Sequence, residues 1–146
     1  MEPVRYTKLD PRAKLPAYAS ADAAGADLYA LTDAPVEIPA GTTALIHTGI
    51  AMAIPAGYGG FIYARSGLAT KQGLAPANKV GVIDADYRGE IMVALHNHSD
   101  TARRVESGDR IAQLVIAPVV RVEFEECENL DDTARGVGGF GSTGRV

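Results

Sequence analysis

The middle of the chain reads as short apolar, β-branched runs separated by turn residues. In VEIPAGTTALIHTGIAMAIPAGYGGFIYARSG, breaks at Pro39–Gly41, Pro55–Gly57 and Gly59–Gly60 divide such runs. EIMVALHNHS and DRIAQLVIAPVVRVEFEE are similar, rich in Val and Ile and too interrupted for helices. SGLATKQG, Ser66 to Gly73, predicts a helix of one or two turns, with Ser66 capping its start and Gly73 ending it. Strands at close spacing between Gly/Pro turns predict an all-β sandwich or barrel. There is no internal repeat and no linker.

Composition narrows the class further. At 146 residues the chain has the length of one domain. A chain of this size buries roughly 68–70% of its unfolded surface, enough for a core without staples. Hydrophobic residues make up 47% and charged residues 22%, which excludes disorder throughout. Glycine is 16 of 146, above the usual roughly 7%, and with 8 prolines this means many turns. The formal charge of −4 argues against a general nucleic-acid or anionic-membrane binder. The single cysteine, Cys127, rules out an internal disulfide and a Cys-rich zinc site. The first twenty residues hold no apolar leader, and no run of about 18 apolar residues occurs, so the expected setting is soluble and cytoplasmic.

The C-terminal end changes character. RVEFEECENLDD, Arg121 to Asp132, carries six carboxylates and one arginine, whereas TARGVGGFGSTGRV, Thr133 to Val146, carries two arginines, five glycines and no carboxylate. With Phe140 as its one large apolar side chain, the tail cannot offset its ordering entropy alone. It reads either as a frayed terminus or as a lid arm. Between its arginines it offers backbone N–H groups, hydroxyls and a ring to an anionic, flat-faced ligand. The division expected is a β domain over 1–132 and an arm over 133–146.

Several familiar motifs fail. Gly136-x-Gly138-x-x-Gly141 matches the dinucleotide fingerprint in letters only, since five residues remain after it. No Walker A loop, nucleophile elbow or zinc deaminase signature exists. His96 and His98 would share a strand face, with His47 elsewhere. Satisfied or solvent-facing histidines are a better account of them than a His₃ metal site.

Other residues carry more. Asp84 ends a short apolar stretch with no obvious capping duty, and a carboxylate there could orient and deprotonate a water, provided a substrate phosphorus sits within reach. Asp86 opens Asp-Tyr-Arg-Gly, read as a turn that Asp86 caps. Arg65-Ser66-Gly67 is either an ordinary helix start or a phosphate site built on a helix N-terminus. Asp27 is either a turn aspartate or a group for hydrated Mg²⁺. Gln113, within an apolar strand, belongs to a network or faces a ligand.

The order of these signals is more specific than any one of them. Ala24-Gly-Ala-Asp-Leu28, Ala64-Arg-Ser-Gly-Leu-Ala69, Gly81-Val-Ile-Asp-Ala-Asp-Tyr-Arg-Gly89, Gly108-Asp-Arg-Ile-Ala-Gln-Leu114 and Arg135-Gly-Val-Gly-Gly-Phe-Gly-Ser-Thr-Gly144 resemble the five ordered motifs of the trimeric deoxyuridine triphosphatases (dUTPases). The resemblance covers about Val4 to Gly144, with no departure at a position the family uses.

The resemblance implies a jelly-roll-like β-barrel subunit with one short helix, assembled as a homotrimer with sites at the interfaces. The implied reaction is dUTP + H₂O → dUMP + pyrophosphate with Mg²⁺, which limits uracil in DNA and supplies dUMP for thymidylate synthesis. By the same resemblance, Asp84 positions the water that attacks the α-phosphorus, and Tyr87 lies against the deoxyribose and excludes a 2′-hydroxyl. Asn78 and the backbone of Gly81, Val82 and Ile83 bind uracil, and Met92 lines that slot. Arg65, Ser66, Gly67 and Gln113 hold phosphate oxygens, and Asp27 contacts waters on Mg²⁺. The arm closes with Phe140 on uracil and Arg135, Gly141, Ser142 and Thr143 on the phosphates. Rival readings are a dCTP deaminase of the same fold family, with or without pyrophosphate release, and a non-catalytic nucleotide sensor or protein-binding regulator.

Overall fold

The computed structural model describes residues 3–139. Its strands are β1 (Arg5–Lys8), β2 (Ala17–Tyr18), β3 (Ala26–Tyr29), β4 (Val36–Ile38), β5 (Thr43–Ala53) and β6 (Tyr58–Tyr63), followed after α1 (Ser66–Gln72) by β7 (Leu74–Pro76), β8 (Gly81–Ile83), β9 (Glu90–Asn97), β10 (Arg103–Val105) and β11 (Arg110–Pro118). They form a four-stranded sheet in the order β1-β5-β9-β7, a five-stranded sheet β2-β3-β11-β6-β8 and a β10-β4 pair. Every pairing is antiparallel. This is an all-β, jelly-roll-like arrangement with one short helix, as expected. Among the described residues no helix is long and apolar enough to cross a membrane.

The core is a single cluster drawing on both large sheets: Leu28, Ile62, Ile83, Ile111 and Leu114 from one, Ile46, Ile50, Leu74, Ile91, Val93 and Leu95 from the other. Strand β9 shows how it is built. Side chains alternate across a strand, and its inward positions are Ile91, Val93, Leu95 and Asn97. Each buried aliphatic contributes about 1.5–3 kcal/mol over leaving it in water. Asn97 is fully buried yet satisfied: its amide donates to the carbonyls of Ile38 (2.9 Å) and Thr101 (2.8 Å), and its oxygen accepts from Ser99 N (2.9 Å) and Oγ (2.7 Å).

Three local expectations are corrected. Gly59 and Gly60 lie inside β6 and do not break it. A Cβ on Gly60 would stand 2.8 Å from Ile54 Cδ1 and 3.2 Å from Ile83 and Leu114, so the glycine permits close sheet packing. The last apolar run stops being a strand at Pro118, because residues 119–126 have no partner strand among the described residues. The helix cap lies one residue earlier than expected. Arg65 is the N-cap, without a side-chain cap bond, and Ser66 is the first helical residue. Gly73 ends it as expected, in the left-handed conformation at φ 70°.

Candidate active site

One constellation is assembled by three adjacent strands. Gln113 on β11 is the register partner of Asp27 on β3 and of Tyr63 on β6, so the residues that follow β6 arrive beside Asp27. Asp27 is buried, within β3 and not in a turn. Its Oδ1 accepts from Arg65 Nε at 2.7 Å and its Oδ2 from Arg110 Nη1 at 3.2 Å. Gln113 Nε2 donates to the carbonyl of Ala64 at 2.9 Å. Its Oε1 lies against Gly25, where any Cβ would stand 2.9 Å from it, so the glycine is what admits the amide. Asp27, Arg65, Ser66, Gly67, Arg110 and Gln113 line one cavity of about 340 Å³. With two guanidiniums against one carboxylate, it suits an anion.

A second cavity, of about 310 Å³, lies between β8 and β9. Asn78, Gly81, Val82, Ile83, Asp84, Tyr87 and Met92 all line it, joined by Glu90 and the apolar Leu45, Ile62, Ile91 and Ala94. The approach to β8 is tight. Val80 N donates to Asn78 O at 2.7 Å across Lys79, whose φ is +66°, a strained γ-turn that sets Asn78 at the cavity. Gly81 carries no side chain where a Cβ would be 3.5 Å from Asn78 Nδ2.

Asp84 directly follows β8, is exposed, and makes no hydrogen bond or ion pair to a described side chain. Its carbonyl opens the turn, accepting from Tyr87 N at 3.1 Å. This corrects the expectation for Asp86, which sits inside the turn and caps nothing. Arg88 favours the earlier turn by donating to the carbonyls of Ala85 (2.7 Å) and Tyr87 (2.9 Å). Tyr87 Oη donates to the carbonyl of Glu90 at 2.9 Å, and its ring crosses Gly89 so closely that no Cβ fits there. Burial raises the Glu90 pKa, but hydrogen bonds from His47 and Gly49 outweigh it and hold the carboxyl below its ordinary range.

The two cavities share no lining residue. Arg135 lines neither; it is exposed, with Nε donating to Gly138 O at 2.8 Å. Phe140, Gly141, Ser142 and Thr143 lie outside the described residues. Arg110 and Glu90 were not singled out in the sequence. Arg110 was visible within the fourth motif, three positions before Gln113, whereas Glu90 gave no signal of its own. His96 and His98 stack edge to face at 4.4 Å, and no group of three or more potential metal-ligating side chains occurs among the described residues.

The dUTPase family model matches residues 11–144. The chain belongs to the dUTPase family. It is 53% identical over 142 residues to the deoxyuridine 5′-triphosphate nucleotidohydrolase of Desulfitobacterium hafniense strain DSM 10664 / DCB-2, covering 97% of this chain and 94% of that one. Against the Acinetobacter baumannii ATCC 17978 protein of the same name, identity is 47% over 147 residues, covering 97% and 98%. A solved structure of a Staphylococcus bacteriophage 80alpha dUTPase mutant with dUpNHpp superposes with a TM-score of 0.90 at 28% identity, covering 99% of this chain and 100% of that one. The arrangement of sheets seen here is thus that of the dUTPases.

Proposed function

We propose that the chain hydrolyses dUTP to dUMP and pyrophosphate as a homotrimer whose active sites form between subunits. The observation that carries this reading is the division of its polar residues between two separate cavities. A nucleoside triphosphate needs a base and sugar slot and a cationic phosphate cradle at once. Here the slot, Asn78 to Met92, lies in one cavity and the cradle in another. Copies that abut would bring one chain's slot to another's cradle. The 119–139 segment supports association: Val120, Val122, Phe124 and Leu130 are 63–94% exposed, and burying such side chains against another copy yields about 1.5–3 kcal/mol each.

In this reading Asp84 takes the proton of a water that attacks the α-phosphorus, displacing pyrophosphate. No cation among the described residues pairs with its carboxylate, which leaves it available for that task. Asn78 and the Gly81–Ile83 backbone hydrogen-bond uracil; unpaired groups then reject cytosine, and Met92 and Ile83 leave little room for a methyl. Tyr87 stands where a 2′-hydroxyl would be. Arg65, Ser66, Gly67 and Gln113 hold phosphate oxygens, and Arg135, Phe140, Gly141, Ser142 and Thr143 close over the nucleotide.

The donor set around Asp27 fits a magnesium ion carried on the triphosphate. Asp27 already engages both oxygens with arginines and no protein cage is present among the described residues, so its remaining lone pairs would reach the ion through water. When bound, Mg²⁺ neutralises phosphate charge and polarises the phosphoryl oxygens.

Pyrophosphate release from dUTP, dCTP, dTTP and UTP, with and without Mg²⁺, tests the reading alongside the sedimentation mass. Release from dUTP alone, dependent on Mg²⁺, from a species of three chains is expected. Ammonia from dCTP would move the chain to the deaminases, and nucleotide binding without turnover would make it a sensor.

A further inference from the structure

The register of the longest strand pair is interrupted next to the base slot. Along β5 and β9, His47 pairs with Met92 and the next pair is Ala51 with Glu90, so Thr48, Gly49 and Ile50 oppose Ile91 alone. This is a bulge with two extra residues on β5, and bulges leave ladder groups without their usual partners. Two side chains replace them. Thr48, 1% exposed, donates its hydroxyl to Ile91 O at 2.6 Å. Glu90 accepts the Gly49 N–H on Oε1 at 2.7 Å, and its Oε2 lies 2.9 Å from His47 Nδ1. Gly49 has φ +69°, and a Cβ there would stand 2.6 Å from Leu31 Cδ2 and 2.9 Å from Ala13 Cβ, so the bulge holds one shape.

Glu90 also has a second attachment, through its main chain. Its carbonyl receives the Tyr87 hydroxyl at 2.9 Å, while Gly89 gives the ring room to lie back across the chain. The pose of Tyr87 is therefore tied through residue 90 to a carboxylate clamped on the neighbouring strand.

We infer that Glu90, clamped between the Gly49 N–H and the His47 imidazole, is a positioning residue that holds Tyr87 in place and so sets discrimination between deoxyribose and ribose. Glu90 touches no reacting atom. It acts by fixing the carbonyl on which the tyrosine rests, and without the clamp that carbonyl and the Tyr87–Gly89 turn can shift away from the sugar. The inference rests on the function proposed above, where Tyr87 faces the 2′ position.

The test compares kcat/KM for dUTP and UTP in the full-length protein, Glu90→Ala and Glu90→Gln, together with crystal structures of the first two. In Glu90→Ala the dUTP-to-UTP ratio is expected to fall about tenfold, roughly the effect of one net hydrogen bond, through a rise in kcat/KM for UTP. Glu90→Gln keeps an acceptor for Gly49 and should hold the ratio within about threefold of the parent. In the alanine variant's crystal structure the Tyr87 hydroxyl should have left the residue-90 carbonyl. An unchanged ratio, a ratio that falls only because dUTP turnover drops, or a glutamine variant as permissive as alanine overturns the inference. Failure of the parent protein to release pyrophosphate from dUTP refutes the proposed function instead. The crystal structures then decide the clamp alone, and a Tyr87 hydroxyl still bonded to that carbonyl in Glu90→Ala overturns it. Should Glu90→Ala not fold, His47→Ala takes its place, with a fall of about threefold expected for losing the more exposed half of the clamp and no change overturning it.

Discussion

Replacing Asp27 by alanine tests the phosphate cradle most directly, because this carboxylate holds its two arginines in place. The side chain of Asp27 is 12% exposed, against 25% for Arg65 and 51% for Arg110. Hydrogen bonds to charged groups contribute about 1.5–3 kcal/mol each when water is excluded. The Arg65 bond deserves a value in that range, whereas the longer bond to half-exposed Arg110 is discounted to about 0.5 kcal/mol for solvent screening. The total is about 2–3.5 kcal/mol, which for a chain of this length lowers Tm by about 6–11 °C. Truncation also leaves two guanidiniums side by side without a counter-charge, so inorganic pyrophosphate should raise the Tm of Asp27→Ala more than that of the parent. Calorimetric melts with and without pyrophosphate supply both readouts. Asp84→Ala is the control: exposed and without a side-chain partner among the described residues, it should melt within about 1 °C of the parent. If Asp27→Ala also melts within about 1 °C of the parent, the ion pairs contribute nothing and the argument from burial is wrong.

Other outcomes follow from the same geometry. Asp84→Asn should abolish turnover while retaining dUTP binding measured by titration calorimetry; near-normal kcat would remove Asp84 from the chemistry. Tyr87→Ala should admit UTP as a substrate, and continued exclusion of UTP would place sugar selection elsewhere. Truncation after Asp132 should leave a folded protein by circular dichroism, because Thr133 to Val137 are exposed, with single-turnover rates reduced by at least about 100-fold through loss of the closing arm. The lowered pKa of Glu90 means its contribution to stability is complete above the unfolded value of about 4.3 and is lost as pH falls through the folded value. The Tm gap between the parent and Glu90→Gln should therefore narrow as pH drops from about 6 to about 3; a gap that widens on acidification contradicts the assigned direction.

The parts of this fold legible in the sequence are those set by neighbours along the chain. Gly73 stops the helix because only a left-handed residue closes that turn, and Asp84 ends an apolar stretch because β8 ends there. What escaped depends on partners far away in sequence. Arg110 reaches Asp27 across 83 positions and His47 reaches Glu90 across 43. Gly59 and Gly60 look like a break until Ile54, Ile83 and Leu114 crowd against Gly60. The β5 bulge is hidden because Thr-Gly-Ile-Ala-Met-Ala reads as an unbroken strand, and only the register with β9 reveals its extra residues. Asp86 misled because Asp-Tyr-Arg-Gly is good turn chemistry, yet the Arg88 guanidinium closes on the carbonyls of the turn that begins at Asp84.

The contrast between Asp27 and Asp84 follows from that same dependence on distant partners. Both are aspartates in short apolar stretches, and the neighbouring sequence does not show which one meets cations. Asp27 lies mid-strand where β11 and the end of β6 deliver guanidiniums to both of its oxygens, so its charge is committed to holding cations in place. Asp84 lies just past the end of an edge strand, β8, where no cation arrives from the described part of the chain. A carboxylate bonded to two arginines has its lone pairs occupied, and one that no described cation meets can accept a hydrogen bond from water. In the proposed reaction the two acids therefore do different work. Moving a cation next to Asp84, for example by Asp86→Arg at an exposed position of the same turn, should occupy its carboxylate as the arginines occupy that of Asp27. Single-turnover rates at saturating dUTP would then fall, whereas unchanged rates would show that Asp84 is not the group that serves the water.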